Sequence, residues 1–261
     1  MPGGELILAH DRREAILKQL AEDKSVLVRE LSQKLNVTPE TIRKDLTILE
    51  GEGKLIKTHG GAFTREGVKN DLDIRIRETI YLEAKEKIGK KCSDLINDGD
   101  TVILDASTTS LQIAKNIINK SKVTVLTNSL KVADELSNYS NIKLVLLGGL
   151  LDHSSLSFVG NDAEKMLEKY FVDKAFVSCR GISMENGITD SNEFQAIIRR
   201  LMFKKGQKTY LIIDKTKFDV IAFSLIGDFS ITDAVVAEEF LNEQWVDFFK
   251  ANNIEMIKAD D

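Results

Sequence analysis

"NVTPETIRKDLTILEGEG", Asn36 to Gly53, is the stretch whose reading decides how the N-terminal part of the chain folds. Thr38 offers a side-chain oxygen to the first free N–H groups of a helix, and Pro39 falls at the first helical position, where its missing N–H costs nothing. Ile42, Leu46 and Leu49 follow at i, i+4 and i+7 and form an apolar stripe. Gly51 and Gly53 end the helix. Upstream, Ile16, Leu17 and Leu20 mark one helix, "EDKS" (22–25) breaks it, and Val28, Leu31 and Leu35 mark a second. Downstream, "KLIKTHGGAF" (54–63) turns at Gly60-Gly61 and predicts a small hairpin. Three short helices and a hairpin are the layout of a winged helix-turn-helix, with the tight "NVT" turn joining its second and third helices.

If the apolar stripe faces inward, Thr41, Arg43 and Lys44 lie on or beside the outer face and Thr38 caps the end. A recognition helix meets base edges with its N-terminal residues. Lys54, Lys57 and His59 fall on the wing, near a phosphate backbone. Periodicity alone fits a plain helical packing domain with a solvated charged face equally well. The longer run 28–63, "VRELSQKLNVTPETIRKDLTILEGEGKLIKTHGGAF", resembles the DNA-binding segment of the DeoR family of bacterial transcription regulators. That family's "V(S/T)xxTIRRDL" helix and "LExxGxLxxxHGGA" wing are matched almost throughout. Its double arginine appears as Arg43-Lys44, which keeps the charge but bears on base preference, because Arg reads guanine bidentately and Lys less so. The resemblance implies a double-stranded operator as partner, contacted by Thr38, Thr41, Arg43, Lys44, Lys57 and His59.

Composition bounds the rest. The 261 residues are 43% hydrophobic and 30% charged, as in an ordinary folded protein. The net charge of −5 argues against a protein that holds nucleic acid by bulk charge alone. Residues 1–66 hold eleven basic and eleven acidic residues, so the whole surplus of negative charge lies beyond them. Cys92 and Cys179 are far apart and fit core packing, and His10, His59 and His153 form no metal-ligand spacing. No cofactor or metal is implied. The apolar run after the N-terminus is too short for a signal peptide, and Leu144 to Leu151 is too short to span a bilayer. The expectation is a cytoplasmic protein with no membrane partner.

Residues 66–80 are polar and mixed and read as a linker between a DNA-binding domain (1–65) and a second domain (81–261), with Leu72, Ile74 and Ile76 as its packing positions. From 82 onward helices alternate with apolar, β-branched strands: "TVILD", "KVTVLT", "KLVLLGG", "KAFVSC", "TYLIID" and "SITDAVV". That alternation predicts an α/β domain with a mostly parallel sheet covered on both faces. Ligands of such sheets sit at the carboxyl ends of the strands. "DASTTS" (105–110) is such an end, followed by a helix whose first N–H groups are free for an anion. A simple cap needs one hydroxyl; four of residues 106–110 carry one, which favours binding. Asp105 would repel a phosphate, so it either takes a sugar hydroxyl or orders the loop.

The landmarks "INDGDTVILDASTTS", "VTVLTNSL", "LVLLGGLLDHSSLSFVG", "KAFVSCRGISMENGITD" and "LIIDKTKF" are similar, in order, to those of the DeoR-family sensor domain. The resemblance runs over roughly residues 10 to 235. It implies a fold related to sugar-phosphate isomerases such as ribose-5-phosphate isomerase and glucosamine-6-phosphate deaminase, and a phosphorylated sugar as effector. The effector-binding residues it suggests, with the strand-end reading, are Asp105, Ser107, Thr108, Thr109, Asn128, Gly148, Gly149, Asp190 and Lys217. Gly148-Gly149 serves equally well as a turn, and Lys217 is chosen on the resemblance. The family usually has Gly where this chain has Ser107, an acid at Gln195 and Lys at Arg199, departures that bear on which ligand is bound.

The resemblance implies a repressor of sugar-metabolism genes, released by its effector, acting as a homo-oligomer (dimer or tetramer) on operator half-sites. The competing reading is a sugar-phosphate isomerase or deaminase with a fused DNA-binding head. An isomerase needs a placed general base; the Asp152-His153 pair is the only candidate, and no dedicated base pair can be placed from spacing, so a regulator rather than an enzyme is expected. Trp245, Phe248 and Phe249 form a C-terminal aromatic stripe that fits core packing or a subunit interface.

Overall fold

The computed structural model describes residues 8–23, 25–57, 60–63, 74–240 and 242–259. The chain divides into two units, Met1–Ile80 and Tyr81–Asp261. The first contains α1 (Ala9–Asp23), β1 (Ser25–Leu27), α2 (Val28–Lys34), α3 (Pro39–Gly51), β2 (Ile56–Lys57), β3 (Gly61–Phe63) and the short α4 (Ile74–Arg77). Ile16, Leu20, Leu31, Ile42, Leu46 and Leu49 meet in one apolar cluster, so the helical stripes face inward as their spacing requires. Asn36 turns the chain between α2 and α3 with a φ of 50°, a left-handed conformation that Asn tolerates better than most residues.

The predicted hairpin is present as β2 and β3, but it is part of a three-stranded antiparallel sheet of order β1-β3-β2. The interruption between the first two helices therefore does more than break them. Val26 is buried in the core, and its backbone pairs with Ala62. Within the segment expected to be a linker, Ile74–Arg77 is helical and Ile74 is 1% exposed. Leu72 and the side chain of Ile76 lie outside the described residues.

The second unit opens with α5 (Leu82–Asp94), β4 (Thr101–Leu104), α6 (Thr108–Asn116), β5 (Thr124–Thr127), α7 (Leu130–Leu136) and β6 (Lys143–Leu146). An antiparallel pair, β7 (Leu150–Asp152) and β8 (Ser157–Val159), leads into α8 (Asn161–Leu167) and β9 (Val172–Val177). Then come β10 (Gly181–Ser183), β11 (Gly187–Asp190), α9 (Glu193–Lys205), β12 (Gly206–Ile212), β13 (Ser224–Gly227), β14 (Ala234–Ala237), α10 (Glu243–Ala251) and β15 (Glu255–Lys258). Seven strands form one wholly parallel sheet of order β15-β14-β12-β9-β4-β5-β6. Strands β10, β11 and β13 make a small antiparallel sheet beside it.

The parallel sheet is apolar on both faces because successive strand residues point to opposite sides. Ile103, Leu126, Val177, Leu211 and Val235 pack into one core, while Val102, Leu104, Val125, Phe176, Tyr210 and Ile212 pack into the other. Trp245 and Phe249 are fully buried in the first core against Phe229, so the C-terminal aromatic stripe is core packing. Cys92 and Cys179 are likewise buried, and burial pushes the Cys179 thiol up to about 12. The run "SITDAVV" is strand only from Ala234, because Asp228 caps a turn over Phe229–Ile231 by accepting from the Ser230 N–H. Helices α5 and α6 approach so closely that a Cβ on Gly89 would lie 2.7 Å from the Gln112 carbonyl carbon.

Candidate functional site

Two surfaces carry the residues singled out by sequence, one in each unit. On α3, the Thr38 Oγ1 accepts from the Thr41 N–H at 3.2 Å and lies 2.9 Å from the Thr41 hydroxyl, so the first turn is capped as its sequence predicts. Arg43 and Lys44 are exposed on the outer face, where the Arg43 guanidinium donates to the Glu40 carboxylate at 3.2 Å. From β2, the Lys57 Nζ reaches the Thr47 hydroxyl at 2.5 Å. Thr38, Thr41, Arg43, Lys44 and Lys57 therefore belong to one helix and the strand beside it. His59 lies outside the described residues.

Sequence reading missed what fixes that helix. Asp45 is 3% exposed and accepts from Arg12 Nε at 2.5 Å and Arg12 Nη2 at 3.2 Å, tying α1 to α3 by a bidentate buried pair. The signal was present: Asp45 falls on the stripe of Ile42, Leu46 and Leu49, where a solvated charge does not belong.

In the second unit, strand order reverses between β4 and β9. From β4 the chain steps outward to β5 and β6, and from β9 it steps the other way to β12, β14 and β15. That reversal, at the carboxyl ends, is where open α/β sheets form their ligand crevice. Asp105 ends β4 and is fully buried. Its Oδ1 accepts from the Ser107 N–H at 3.2 Å and the Ser110 hydroxyl at 2.6 Å. Its Oδ2 accepts from the Ser178 N–H at the end of β9 at 3.1 Å and from Arg199 Nε at 2.9 Å. Of the two roles open to Asp105, ordering the loop is the one these bonds serve. The Arg199 guanidinium also pairs with Asp190, so one buried cation joins two buried carboxylates. Burial works against the Arg199 charge, and Asp190 and Asp105 more than offset it, holding its pKa above the ordinary value.

Ser107 caps α6 by accepting from the Ser110 N–H at 3.0 Å, while Thr108 and Thr109 sit buried in its first turn. Asn128 follows β5, adjacent in the sheet to β4, and donates to the Phe158 carbonyl at 3.0 Å. Gly149 is structurally required: its φ is +147° and a Cβ there would lie 2.7 Å from the Val159 carbonyl oxygen. Gly148 faces open space.

Lys217 follows β12 in a short turn capped by Asp214, its Nζ 3.8 Å from the Asp214 carboxylate. Burial alone would raise the Asp214 carboxyl, but Lys217, the Thr216 hydroxyl and Lys85 outweigh it and hold it below the usual aspartate range. Cys179 follows β9, and besides burial the charges of Lys217, Asp190, Arg199 and Asp214 act on its thiol. Lys85 was not foreseen. It is 5% exposed on α5, at i and i+3 from Ile88, and this stripe position was the sequence signal for a buried cation.

Gln195 sits in the first turn of α9, and its Nε2 has three acceptors for its two hydrogens: Asp152 Oδ2 at 3.1 Å, Ser155 Oγ at 2.9 Å and Ser157 Oγ at 2.8 Å. Asp152 is thereby absorbed into a hydrogen-bonded cluster. Burial would raise its pKa, yet the Ser154, Ser155 and Gln195 bonds hold it low. His153 is exposed.

Comparison with known proteins agrees with this division. Residues 12–66 match the DeoR-like helix-turn-helix domain, and residues 81–239 match the DeoR C-terminal sensor domain. The chain is 38% identical over 236 residues to the HTH-type transcriptional regulator YulB of Bacillus subtilis, covering 90% of this chain and 91% of that one. It is 32% identical over 247 residues to the transcriptional repressor GlcR of the same organism, covering 95% of each. Among solved structures, ribose-5-phosphate isomerase A of Methanocaldococcus jannaschii aligns over 52% of this chain and 54% of its own at 16% identity, with a TM-score of 0.39. With both domain models matched and relatives aligned over nearly the full length, the chain belongs to the DeoR family of transcriptional regulators.

Proposed function

We propose that the chain is a repressor of sugar-metabolism genes, released from its operator by a phosphorylated sugar. The observation that carries this reading is the cluster at the strand-order reversal. There the first turn of α6, with Thr108 and Thr109, follows the carboxyl end of β4, Gly148 follows that of β6 and Lys217 follows that of β12, groups suited to an anion and to hydroxyls. Asp105 and Asp190, both paired with Arg199, build the floor of the site rather than its contact surface. Thr38, Thr41, Arg43, Lys44, Lys57 and His59 contact the operator. A homo-oligomer, dimer or tetramer, in the cytoplasm presents two such helices to two half-sites.

Release follows if the effector binds one arrangement of the protein more tightly than the DNA-competent one, since a ligand shifts an equilibrium only by its differential affinity. GlcR, named a repressor, has the mode of control proposed here. The test is a gel-shift titration of promoter DNA upstream of neighbouring sugar genes, with and without a panel of sugar phosphates. A sugar phosphate that dissociates the complex supports the reading. Turnover of the same compounds at ordinary enzyme rates would sink it in favour of the isomerase alternative.

A further inference from the structure

We propose that Asn128 and Gln195 form a wall that reads hydroxyl groups of the effector, each amide oxygen accepting one hydrogen bond. Among the described residues, the Asn128 Oδ1 and Gln195 Oε1 are buried side-chain acceptors without a hydrogen-bond partner. Asn128 is fully buried and Gln195 is 4% exposed. Buried polar groups are almost always paired, so an unpaired one marks a place for a partner.

The identity of the free atom is fixed at both residues. Asn128 faces the Phe158 carbonyl, which only accepts, so its NH2 must turn there and its oxygen away. Gln195 faces the Asp152 carboxylate, which also only accepts, and the same NH2 is shared with Ser155 and Ser157. Both amides are thus anchored by their nitrogen to consecutive residues of β8, Ser157 and Phe158, about 3.8 Å apart along the chain. Both free atoms are acceptors. A ligand that satisfies them must bring hydrogens, as neighbouring hydroxyls of a sugar or sugar alcohol do. A carboxylate, carbonyl or phosphate oxygen placed there would face another acceptor.

The inference rests on the effector being a phosphorylated sugar. It adds that the hydroxylated end lies against Asn128 and Gln195. Gln195 is then specificity-determining, because a carboxylate in its place would set a second negative charge against Asp152.

The test uses the full chain and measures binding of hexose, pentose and hexitol phosphates, their deoxy analogues, and inorganic phosphate. For a bound sugar phosphate, deleting the hydroxyl read by Gln195 weakens binding about tenfold or more in the wild type. In Gln195→Met that penalty disappears, because the variant no longer distinguishes the deoxy compound, while inorganic phosphate binds unchanged. Asn128→Leu does the same for a second hydroxyl. If both variants keep the wild-type penalties, or if no deoxy analogue is penalised by the wild type, the wall assignment is overturned and the sensor reading stands. The deoxy series on the wild type decides the matter even where a variant does not fold. If no sugar phosphate binds the wild type at all, the sensor reading falls and the wall falls with it.

Discussion

Replacing Asp105 with Ala should unfold the sensor unit more readily than any single lost hydrogen bond would. Four donors converge on this fully buried carboxylate: the Ser107 and Ser178 N–H groups, the Ser110 hydroxyl and Arg199 Nε. The Arg199 side chain is 7% exposed and cannot turn to water for compensation. Arg199 keeps Asp190 as its counter-charge, so the cost lies in the buried donors left without an acceptor; at about 1–3 kcal/mol per unpaired group, two or three of them give a loss of about 3–5 kcal/mol. For a unit of this size that lowers Tm by roughly 6–20 °C, at about 2–4 °C per kcal/mol. The assay is thermal unfolding followed by tryptophan fluorescence. The chain has one tryptophan, Trp245, fully buried in the second unit, so the signal reports that unit alone. Ser110→Ala is the control, since it removes one bond to the same carboxylate and should cost about 1 kcal/mol. The double variant Asp105→Ala/Arg199→Leu should lose less than the sum of its singles, because removing Asp105 takes away one of the two carboxylates that Arg199→Leu leaves unpaired. An Asp105→Ala loss no larger than that of Ser110→Ala would refute the claim that this residue organises the site.

In the first unit, Asp45→Ala removes the bidentate acceptor of the Arg12 guanidinium and should cost about 1.5–3 kcal/mol, read as a lower-temperature transition by circular dichroism. Arg43→Ala should weaken operator binding and lower its salt dependence while leaving the sugar-phosphate-induced rise in Tm unchanged, since Arg43 is exposed on α3. The Asp214 carboxyl is held low in the folded chain, so its contribution is present above the unfolded aspartate pKa and is lost as pH falls through the folded value. Lys217→Ala removes the strongest of the effects that hold it low. Acid unfolding should then begin at higher pH, a shift measurable by a Trp245 melting series below neutrality.

The parallel sheet and the recognition helix were legible because they obey simple periods. Ile42, Leu46 and Leu49 repeat as a helix face, and 101–104 and 124–127 are β-branched runs buried on both sides. Thr38 and Ser107 were legible as caps because a cap is local chemistry. The partners of Asp105 were not, because Ser178 and Arg199 lie 73 and 94 residues away in sequence. Nor was β1, three residues whose pairing depends on β3 far along the chain. Charges on apolar stripes, Asp45, Lys85 and Arg199, were the overlooked signal, since a buried charge demands a partner even when the partner cannot be named. The Gln195 departure from the family's acid was visible, but its meaning required the Asp152 and serine cluster that the fold assembles around it.

Whether the second unit binds or transforms its ligand turns on which groups can move a proton. Asp105 and Asp190 are both pinned by Arg199, and Asp152 is held ionised by hydrogen bonds. The amide oxygens of Asn128 and Gln195 accept hydrogen bonds but do not take protons. Glu238, after β14, is different. Its Oε1 accepts from the Lys215 N–H at 3.0 Å, its Oε2 is buried and unpaired, and burial, with Asp214 adding to it, raises its pKa. A raised carboxyl with a free oxygen is what a general base requires. It is also a stability liability: the folded state holds this proton more tightly than the unfolded one, so stability falls as pH rises through the folded pKa. Glu238→Gln separates the two possibilities. In a sensor it should stabilise the chain near neutral pH and leave effector binding intact, with no sugar-phosphate turnover before or after. Turnover in the wild type that vanishes in Glu238→Gln, with binding retained, would make this carboxylate a catalytic base and the chain an enzyme as well as a regulator.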